Sequence, residues 1–174
     1  NHGPGSAIVT DVRELDAYAI LDAIERHTGE VQTPTLLAAS PPCQTLSLVG
    51  PRPRGAPSDS LFAEVARIAA ALQPRWVVLE NVVGFLSKPG ADGQAGADGK
   101  QGHATKPVTV FEQMRASLVA AGYPHVEHRV LDAQCFGVPQ SRKRVIVVAA
   151  KSAGDVRFPL PAPPPGPPVG RCLL

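Results

Sequence analysis

Residues 36–44 read Leu-Leu-Ala-Ala-Ser-Pro-Pro-Cys-Gln, an apolar run that stops at two prolines and a cysteine. The apolar part, Leu36–Ala39, predicts a short buried strand. Because Pro41 and Pro42 have a fixed φ and no backbone N–H, they predict a stiff turn that directs Cys43 into a cleft. A thiol at the carboxyl end of a strand is well placed to act as a nucleophile. A cysteine after prolines is more often a small buried hydrophobic residue, so catalysis needs support from other segments.

Two later strand boundaries carry charged side chains. Residues 76–82, Trp-Val-Val-Leu-Glu-Asn-Val, predict a second apolar strand with Glu80 at its end. Residues 137–148 predict a turn that contains Arg142 and Arg144 and leads into a further strand. A thiol, a carboxylate and two arginines therefore all lie at strand boundaries, although spacing alone does not show that they converge.

The order of elements predicts an α/β fold with an open, mostly parallel sheet and helices on both faces. The predicted strands are Ala7–Thr10, Leu36–Ala39, Trp76–Glu80, Val126–Leu131 and Val145–Ala149. Helices are predicted over about 15–24, from a cap at Asp59 or Ser60 to about residue 72, and over about 108–121. Each has an apolar face, formed in turn by Leu15, Ala19, Ile20 and Ile24, by Leu61, Val65, Ile68, Ala69 and Leu72, and by Val110, Phe111, Met114, Leu118 and Val119. Ligands of such sheets bind outside the carboxyl ends of the strands. If the strands are parallel, Asp11, Cys43 and Glu80 share one edge.

The composition suits one globular domain, with 174 residues of which 44% are hydrophobic. The net charge of +2 neither requires nor excludes a nucleic-acid partner. Three widely spaced cysteines without a Cys/His cluster predict no metal site, no disulfide framework and reduced thiols inside the cell. No apolar run reaches the length of a membrane span, so no membrane partner is expected.

Two segments stand apart from the predicted domain, which we place at residues 1–157. Residues 89–103 are low-complexity Gly, Ala, Asp and Lys sequence that predicts a flexible insertion. Residues 158–174 are a Pro-rich linker or tail. Because the chain begins without Met, it has the look of a piece of a longer protein.

The three motifs together resemble the cytosine-5 DNA methyltransferase family. Pro42-Cys43-Gln44 is similar to the family's nucleophile motif, Glu80-Asn81-Val82 to its Glu-Asn-Val motif, and residues 140–144 to its Gln-x-Arg-x-Arg motif. They occur in the family's order. The resemblance implies a partial Rossmann-like, S-adenosylmethionine-dependent methyltransferase fold. It also implies double-stranded DNA as the partner.

The resemblance implies a role for each matching residue. The catalytic residues would be Cys43, Glu80, Arg142 and Arg144. Cys43 would add to carbon 6 of a flipped-out cytosine, Glu80 would donate a proton to ring nitrogen 3, and Arg144 would reach the base carbonyl, with Arg142 supporting the nucleophile or the DNA. Burial among apolar neighbours would favour the protonated form of Glu80. S-adenosylmethionine would be held by Asp11, Pro42 and Leu61. DNA contacts would come from Gln44, Ser47, Asn81, Val82 and Gln140.

Parts of the family pattern are missing from these 174 residues. The Phe-x-Gly-x-Gly cofactor loop, the acidic residue for the ribose and the target-recognition domain are not found. We therefore expect that residues 1–174 alone bind the cofactor poorly and do not methylate DNA.

Two other functions stay open from the sequence. A tRNA cytosine-5 methyltransferase is favoured by Ser40 at the start of Ser-Pro-Pro-Cys-Gln, whereas Gln140 and the absence of a Cys-Phe-Thr signature speak against it. A catalytically dead methyltransferase-like module is the other alternative, although Cys43, Glu80 and Arg144 are intact. A DNA substrate implies an intracellular location, which is the nucleus in a eukaryote and the cytoplasm otherwise.

Overall fold

The computed structural model describes residues 8, 10–42, 61–90 and 108–156. Three helices and three strands alternate along this part of the chain, and a fourth strand follows the third without an α-helix between them. The helices are α1 (Ala17–Thr28), α2 (Leu61–Leu72) and α3 (Val110–Ala120). The strands are β1 (Leu36–Ala39), β2 (Trp76–Asn81), β3 (His125–Asp132) and β4 (Lys143–Ala150). Short 3₁₀ helices follow β2, β3 and β4.

The sheet has the order β1-β2-β4-β3. β1 and β2 are parallel, with Leu36 opposite Trp76 and Ala39 opposite Leu79. β4 runs antiparallel to both of its neighbours, β2 and β3. It follows that β1, β2 and β3 all point in the same direction, and that β4 is inserted between two of them in the opposite direction.

The expected α/β sheet is therefore present, but the expectation of mostly parallel pairing is wrong for the described strands. Only the β1–β2 pairing is parallel, because the reversed strand β4 occupies an inner position and makes both other pairings antiparallel. The β3–β4 connection spans only residues 133–142, and a connection this short returns the chain antiparallel beside the strand that it leaves. The predicted strand Ala7–Thr10 falls largely outside the described residues.

The hydrophobic core lies between α2, α3 and one face of the sheet. Alternate residues of β2 and β4, such as Val77, Leu79, Val145 and Val147, are almost completely buried. They pack in one cluster with apolar side chains of both helices, which include Phe62, Val65, Ala69, Met114 and Leu118. The period of two in the strands thus directs every second side chain to these helices. Helices on both faces were expected, but α2 and α3 share the same face.

Helix ends follow the capping chemistry of the sequence. Thr109 and Glu112 form a capping box at the start of α3, and Gly122 follows its end with φ 98°. Asp16 accepts a hydrogen bond from the Tyr18 amide at the start of α1, and Gly29 ends this helix with φ 78°. Asp11 also precedes α1, but the residue that caps this helix is Asp16. None of the residues of α1 is buried, although the sequence predicts an apolar face there.

The described ends of the predicted insertion are attached to the fold. The Gly90 amide donates to the Val108 carbonyl at 2.8 Å, and the Val110 amide donates to the Lys88 carbonyl at 2.9 Å. Pro89 pairs with Thr109 in an isolated antiparallel bridge. The predicted insertion 89–103 is thus wrong at its start, because Pro89 and Gly90 belong to the framework. Residues 91–103 lie outside the described residues.

Candidate functional site at the carboxyl edge of the sheet

Four strand ends meet at one edge of the sheet. β1, β2 and β3 end there because they point in the same direction, and β4 begins there because it runs the opposite way. The residues at this edge are Ser40 after β1, Glu80 and Asn81 at the end of β2, Asp132 at the end of β3, and Arg144 at the start of β4. The topology therefore brings the carboxylate and the arginine motif together, which their separation in the sequence could not show.

Glu80 is the centre of this edge, and both of its carboxylate oxygens are engaged. Arg144 Nε lies 2.7 Å from Oε1. The Ser40 hydroxyl donates to Oε2 at 2.6 Å. The Glu80 side chain is 38% exposed and that of Arg144 is 27% exposed. The expectation that apolar neighbours enclose Glu80 is thus wrong, because its partners are a guanidinium and a hydroxyl.

Asn81 joins the end of β2 to the turn that leads to Cys43. Its side-chain amide donates to the Pro41 carbonyl at 3.0 Å, and its side-chain carbonyl accepts from the Val82 amide at 2.9 Å. Asn81 is only 4% exposed, and Val82 packs against the hydrophobic core. Asn81 therefore holds the turn in place in this structure, and the predicted contact of Asn81 and Val82 with DNA stays a prediction.

Replacing Asn81 with alanine is expected to lower the free energy of unfolding by about 1–3 kcal/mol. The loss leaves the Pro41 carbonyl and the Val82 amide without their present partners. Urea denaturation followed by far-UV circular dichroism measures the effect. Ser117→Ala is the control, because the Ser117 hydroxyl donates only within α3. An Asn81→Ala variant that is as stable as the control would contradict the assignment.

Asp132 organises the turn that carries the predicted residues Gln140 and Arg142. Its carboxylate accepts from the amides of Arg142 at 3.0 Å and Gln134 at 3.2 Å, and from the Ser141 hydroxyl at 3.4 Å. Gln140 and Arg142 are themselves exposed. The desolvation of Asp132 acts to raise its pKa, but these hydrogen bonds outweigh it, so the pKa lies below the ordinary value of 3.8.

The Asp132 pKa gives a stability effect that depends on pH. Because the folded state lowers the pKa, the charged carboxylate stabilises the fold above the unfolded value near 3.8, and this contribution is lost as the pH falls through the folded pKa. We therefore expect Asp132→Asn to lower the melting temperature at pH 7, with a difference from wild type that narrows below pH 3.8. Thermal melts from pH 7 to pH 2.5 test this. Asp22→Asn, on α1, is the control, and a difference that does not depend on pH would contradict the prediction.

Asp11 and Leu61, the predicted cofactor residues, belong to neighbouring segments. Arg67 of α2 donates to the carbonyls of Val12 and Leu15, both at 2.9 Å, and so fastens the segment after Asp11 to the helix that begins at Leu61. The Asp11 carboxylate forms an ion pair with Arg13. The side-chain hydrogen bond from Arg13 is the main reason why the pKa of Asp11 is lowered to about 2. Asp11 is thus a charged, 37% exposed acceptor.

Several predicted residues are not placed by the described structure. Cys43, Gln44 and Ser47 lie outside the described residues, whereas Pro42 is described and exposed. The structure therefore describes the chain up to the residue before Cys43. The turn is attached to β2 by the hydrogen bond from Asn81 to the Pro41 carbonyl. Within the described ranges, no group of three or more His, Cys, Asp or Glu side chains could hold a metal ion.

Sequence reasoning did not assign a role to Ser40 or Asp132. Ser40 stands in the quoted nucleophile motif, and Asp132 is an acidic residue at the end of a strand, as Glu80 is. The position at a strand end, which Asp132 shares with Glu80, could have identified Asp132 as a candidate site residue. No signal in the sequence shows that the Ser40 hydroxyl reaches Glu80, since the two residues are 40 positions apart.

Cys135 corrects the prediction of reduced thiols. It is 9% exposed, lies in the 3₁₀ helix Ala133–Phe136, and is disulfide-bonded. The two other cysteines, Cys43 and Cys172, lie outside the described residues. The predicted intracellular location therefore depends on the substrate and no longer on the cysteines.

Solved structures with the same architecture are methyltransferases, which defines the class of this fold. A protein described as a prophage-encoded DNA modification methyltransferase from E. coli matches 86% of this chain and 34% of its own chain, with a TM-score of 0.55 and 20% identity. A DNMT2 variant from Spodoptera frugiperda matches 87% of this chain and 37% of its own, with a TM-score of 0.52 and 19% identity. At these identities the likeness concerns the fold. The chain has an α/β methyltransferase fold.

The chain belongs to the C-5 cytosine-specific DNA methylases, whose family model matches residues 6–164. It is 35% identical over 143 residues to type II methyltransferase M.NgoBV of Neisseria gonorrhoeae, covering 79% of this chain and 30% of the relative. It is 28% identical over 163 residues to type II methyltransferase M.DdeI of Desulfomicrobium norvegicum, and the match covers 91% of this chain and 33% of the relative. The chain thus spans about a third of the length of these relatives, and the resemblance seen in the motifs is confirmed.

Proposed function

We propose that the protein containing this chain is a DNA (cytosine-5)-methyltransferase that acts on a flipped-out cytosine through a covalent bond to Cys43. The observation that carries this proposal is the pairing of Glu80 with Arg144 at 2.7 Å, on the edge where the turn to Cys43 leaves the sheet. Membership of the C-5 cytosine-specific DNA methylases supports the same reaction.

The reaction needs activation of the base, because carbon 5 of cytosine is a poor nucleophile. The Cys43 thiolate adds to carbon 6, and electron density moves to carbon 5 and to the ring nitrogen and carbonyl. A free thiol has a pKa near ~8.5, which nearby cations lower. Arg144 and the exposed Arg142 are cations of the same edge. When carbon 5 has been methylated, its proton passes to a water molecule, the C–H electron pair re-forms the double bond between carbons 5 and 6, and the sulfur–carbon bond breaks, which restores the Cys43 thiolate.

Glu80 and Arg144 face the charge that develops on the ring. Arg144 donates from its guanidinium to the base carbonyl, and Glu80, when protonated, donates to ring nitrogen 3. In this structure the Glu80 carboxylate and the Arg144 guanidinium form an ion pair with each other. The base therefore replaces an ion pair that is partly exposed, and such pairs contribute only about 0–1 kcal/mol to stability. Breaking the Glu80–Arg144 ion pair therefore costs little free energy, so both side chains can turn to the base.

The cofactor in this proposal is S-adenosylmethionine, which supplies the methyl group when it is bound. The residues fit this group because Asp11 is ionised at neutral pH, and its bonds to Arg13, which engage both carboxylate oxygens, are exposed and can be exchanged for a ligand donor. Asp11 would accept from donors of the adenine, while Leu61 and Pro42 would provide apolar contact. Arg67 keeps the segment after Asp11 against α2, where Leu61 lies.

The substrate in this proposal is double-stranded DNA, from which the target base must be extruded. Extrusion costs a few kcal/mol of stacking and pairing, which contacts in the pocket and to the phosphates offset. In this proposal the exposed Arg142 and Gln140 make such contacts, and Gln44 and Ser47 are assigned to them by the family resemblance. The protein would act where the DNA is, which is the nucleus in a eukaryote and the cytoplasm in a bacterium such as those of the relatives named above.

Methyl transfer from radiolabelled S-adenosylmethionine tests the proposal with the complete protein. We expect label in duplex DNA as 5-methylcytosine, and background label in tRNA. Label confined to tRNA would favour the tRNA enzyme instead, and no label in either substrate from a folded protein that binds the cofactor would favour a dead module. The DNMT2 likeness bears on the fold alone, so it does not favour tRNA.

A further inference from the structure

We propose that Ser40 is a positioning residue that holds Glu80 in the orientation needed to meet the base. This inference rests on the proposed methyltransferase function and deepens it. Ser40 follows β1 directly, at the carboxyl edge of the sheet, and its hydroxyl is 2.6 Å from Glu80 Oε2. No other described side chain except Arg144 is recorded in a hydrogen bond or ion pair with the Glu80 carboxylate.

The two oxygens of the Glu80 carboxylate have different partners, and this difference gives Ser40 its role. Arg144 engages Oε1 and Ser40 engages Oε2. When Arg144 turns to the base carbonyl, Oε1 is released toward the base. Oε2 keeps its bond to Ser40, so the carboxyl group does not rotate away. A side chain held in one rotamer loses less conformational freedom when the base binds.

A hydroxyl suits this position because it can both donate and accept. In the present structure it donates to Oε2. Rotation of the hydroxyl hydrogen lets the same oxygen accept from Glu80 when the carboxyl group carries its proton there. Ser40 therefore keeps contact with Glu80 before and after proton transfer, which an ammonium group, a donor only, could not do.

Ser40 is not needed to attach its turn to the sheet. The buried Asn81 side chain already binds the Pro41 carbonyl at 3.0 Å, whereas Ser40 is exposed. Loss of the Ser40 hydroxyl therefore leaves the turn fastened and frees only the Glu80 carboxyl group. This separates an effect on the reaction from an effect on folding.

A double-mutant cycle on the complete protein tests the inference. Methyl transfer to duplex DNA is measured for wild type, Ser40→Ala, Glu80→Gln and the double variant. We expect Ser40→Ala to lower kcat about tenfold, as for the loss of a hydrogen bond to a charged group, and to leave KM for DNA within about twofold. In the Glu80→Gln background, adding Ser40→Ala should change kcat by less than about twofold, because the residue acts through Glu80.

Two further variants, one conservative at position 40 and one remote from the site, complete the kinetic experiment. Ser40→Thr retains the hydroxyl and should restore kcat to within about threefold of wild type. Ser117→Ala removes a hydroxyl within α3 and should leave kcat unchanged. A normal kcat in Ser40→Ala, or an equal loss in both backgrounds, would overturn the role of Ser40. An inactive wild-type protein would instead reject the methyltransferase function.

Discussion

Replacing Cys43 with serine is expected to abolish the covalent complex between the complete protein and duplex DNA that carries 5-fluorocytosine. Fluorine at carbon 5 cannot leave as the proton does, so the sulfur–carbon bond formed at carbon 6 persists and the protein stays attached to DNA. Serine at position 43 is far less nucleophilic than a thiolate. We expect methyl transfer on ordinary DNA to fall by at least about 10³-fold.

Denaturing gel electrophoresis with labelled DNA measures the adduct. Ser117→Ala is the control, because the Ser117 hydroxyl donates only within α3, and this variant should leave the adduct intact. A retained adduct in Cys43→Ser would exclude this residue as the nucleophile. Loss of the adduct in both variants would point to a general effect on the protein.

Replacing Arg144 with alanine is expected to lower kcat by about 10²–10³-fold, the usual cost of removing one donor to a developing negative charge. Its guanidinium lies 2.7 Å from Glu80 at the edge where the base would bind. Arg144→Lys should recover only part of this loss, because an ammonium group lacks the planar set of donors. The single-turnover rate of methyl transfer is the appropriate measurement.

The effect of Arg144→Ala should be on catalysis and not on folding. The Glu80–Arg144 pair is 38% and 27% exposed, so its removal should change the unfolding free energy by at most about 1 kcal/mol. Arg26→Ala is the control, since Arg26 forms a comparable pair with Asp22 on α1 at 2.8 Å. An active Arg144→Ala variant, or one that is unfolded, would contradict the assigned role.

Local structure was predictable where one segment contains the whole signal. The run Leu36–Ala39 is a strand with the predicted bounds, but the prediction that it is buried is wrong, because it lies at the edge of the described sheet and none of its residues is buried. The apolar spacing in α2 and α3 places most of the predicted residues in the core. Gly122 after α3 has the positive φ expected of a helix stop. Val119 is 44% exposed, because nothing in the local pattern shows which side of a helix the sheet will cover.

The site was predictable as a list of residues, and its geometry was not. The order of the three motifs identified the family, and membership is confirmed. Glu80 was expected in apolar surroundings, but it lies between Ser40 and Arg144. Side chains that meet across strands come from distant positions in the chain, so no window of sequence contains both partners.

The sequence by itself determined the chemistry available to this protein, because residue types and their order follow directly from the chain: a thiol after two prolines, a carboxylate at a strand end and a pair of arginines. Only the tertiary structure decided how they are used. The reversed strand β4 starts at the edge where β1 and β2 end, and this brings Arg144 to Glu80. The short connection 133–142 reverses β4 relative to β3, but the placement of β4 beside β2 depends on long-range pairing, which local sequence patterns do not encode.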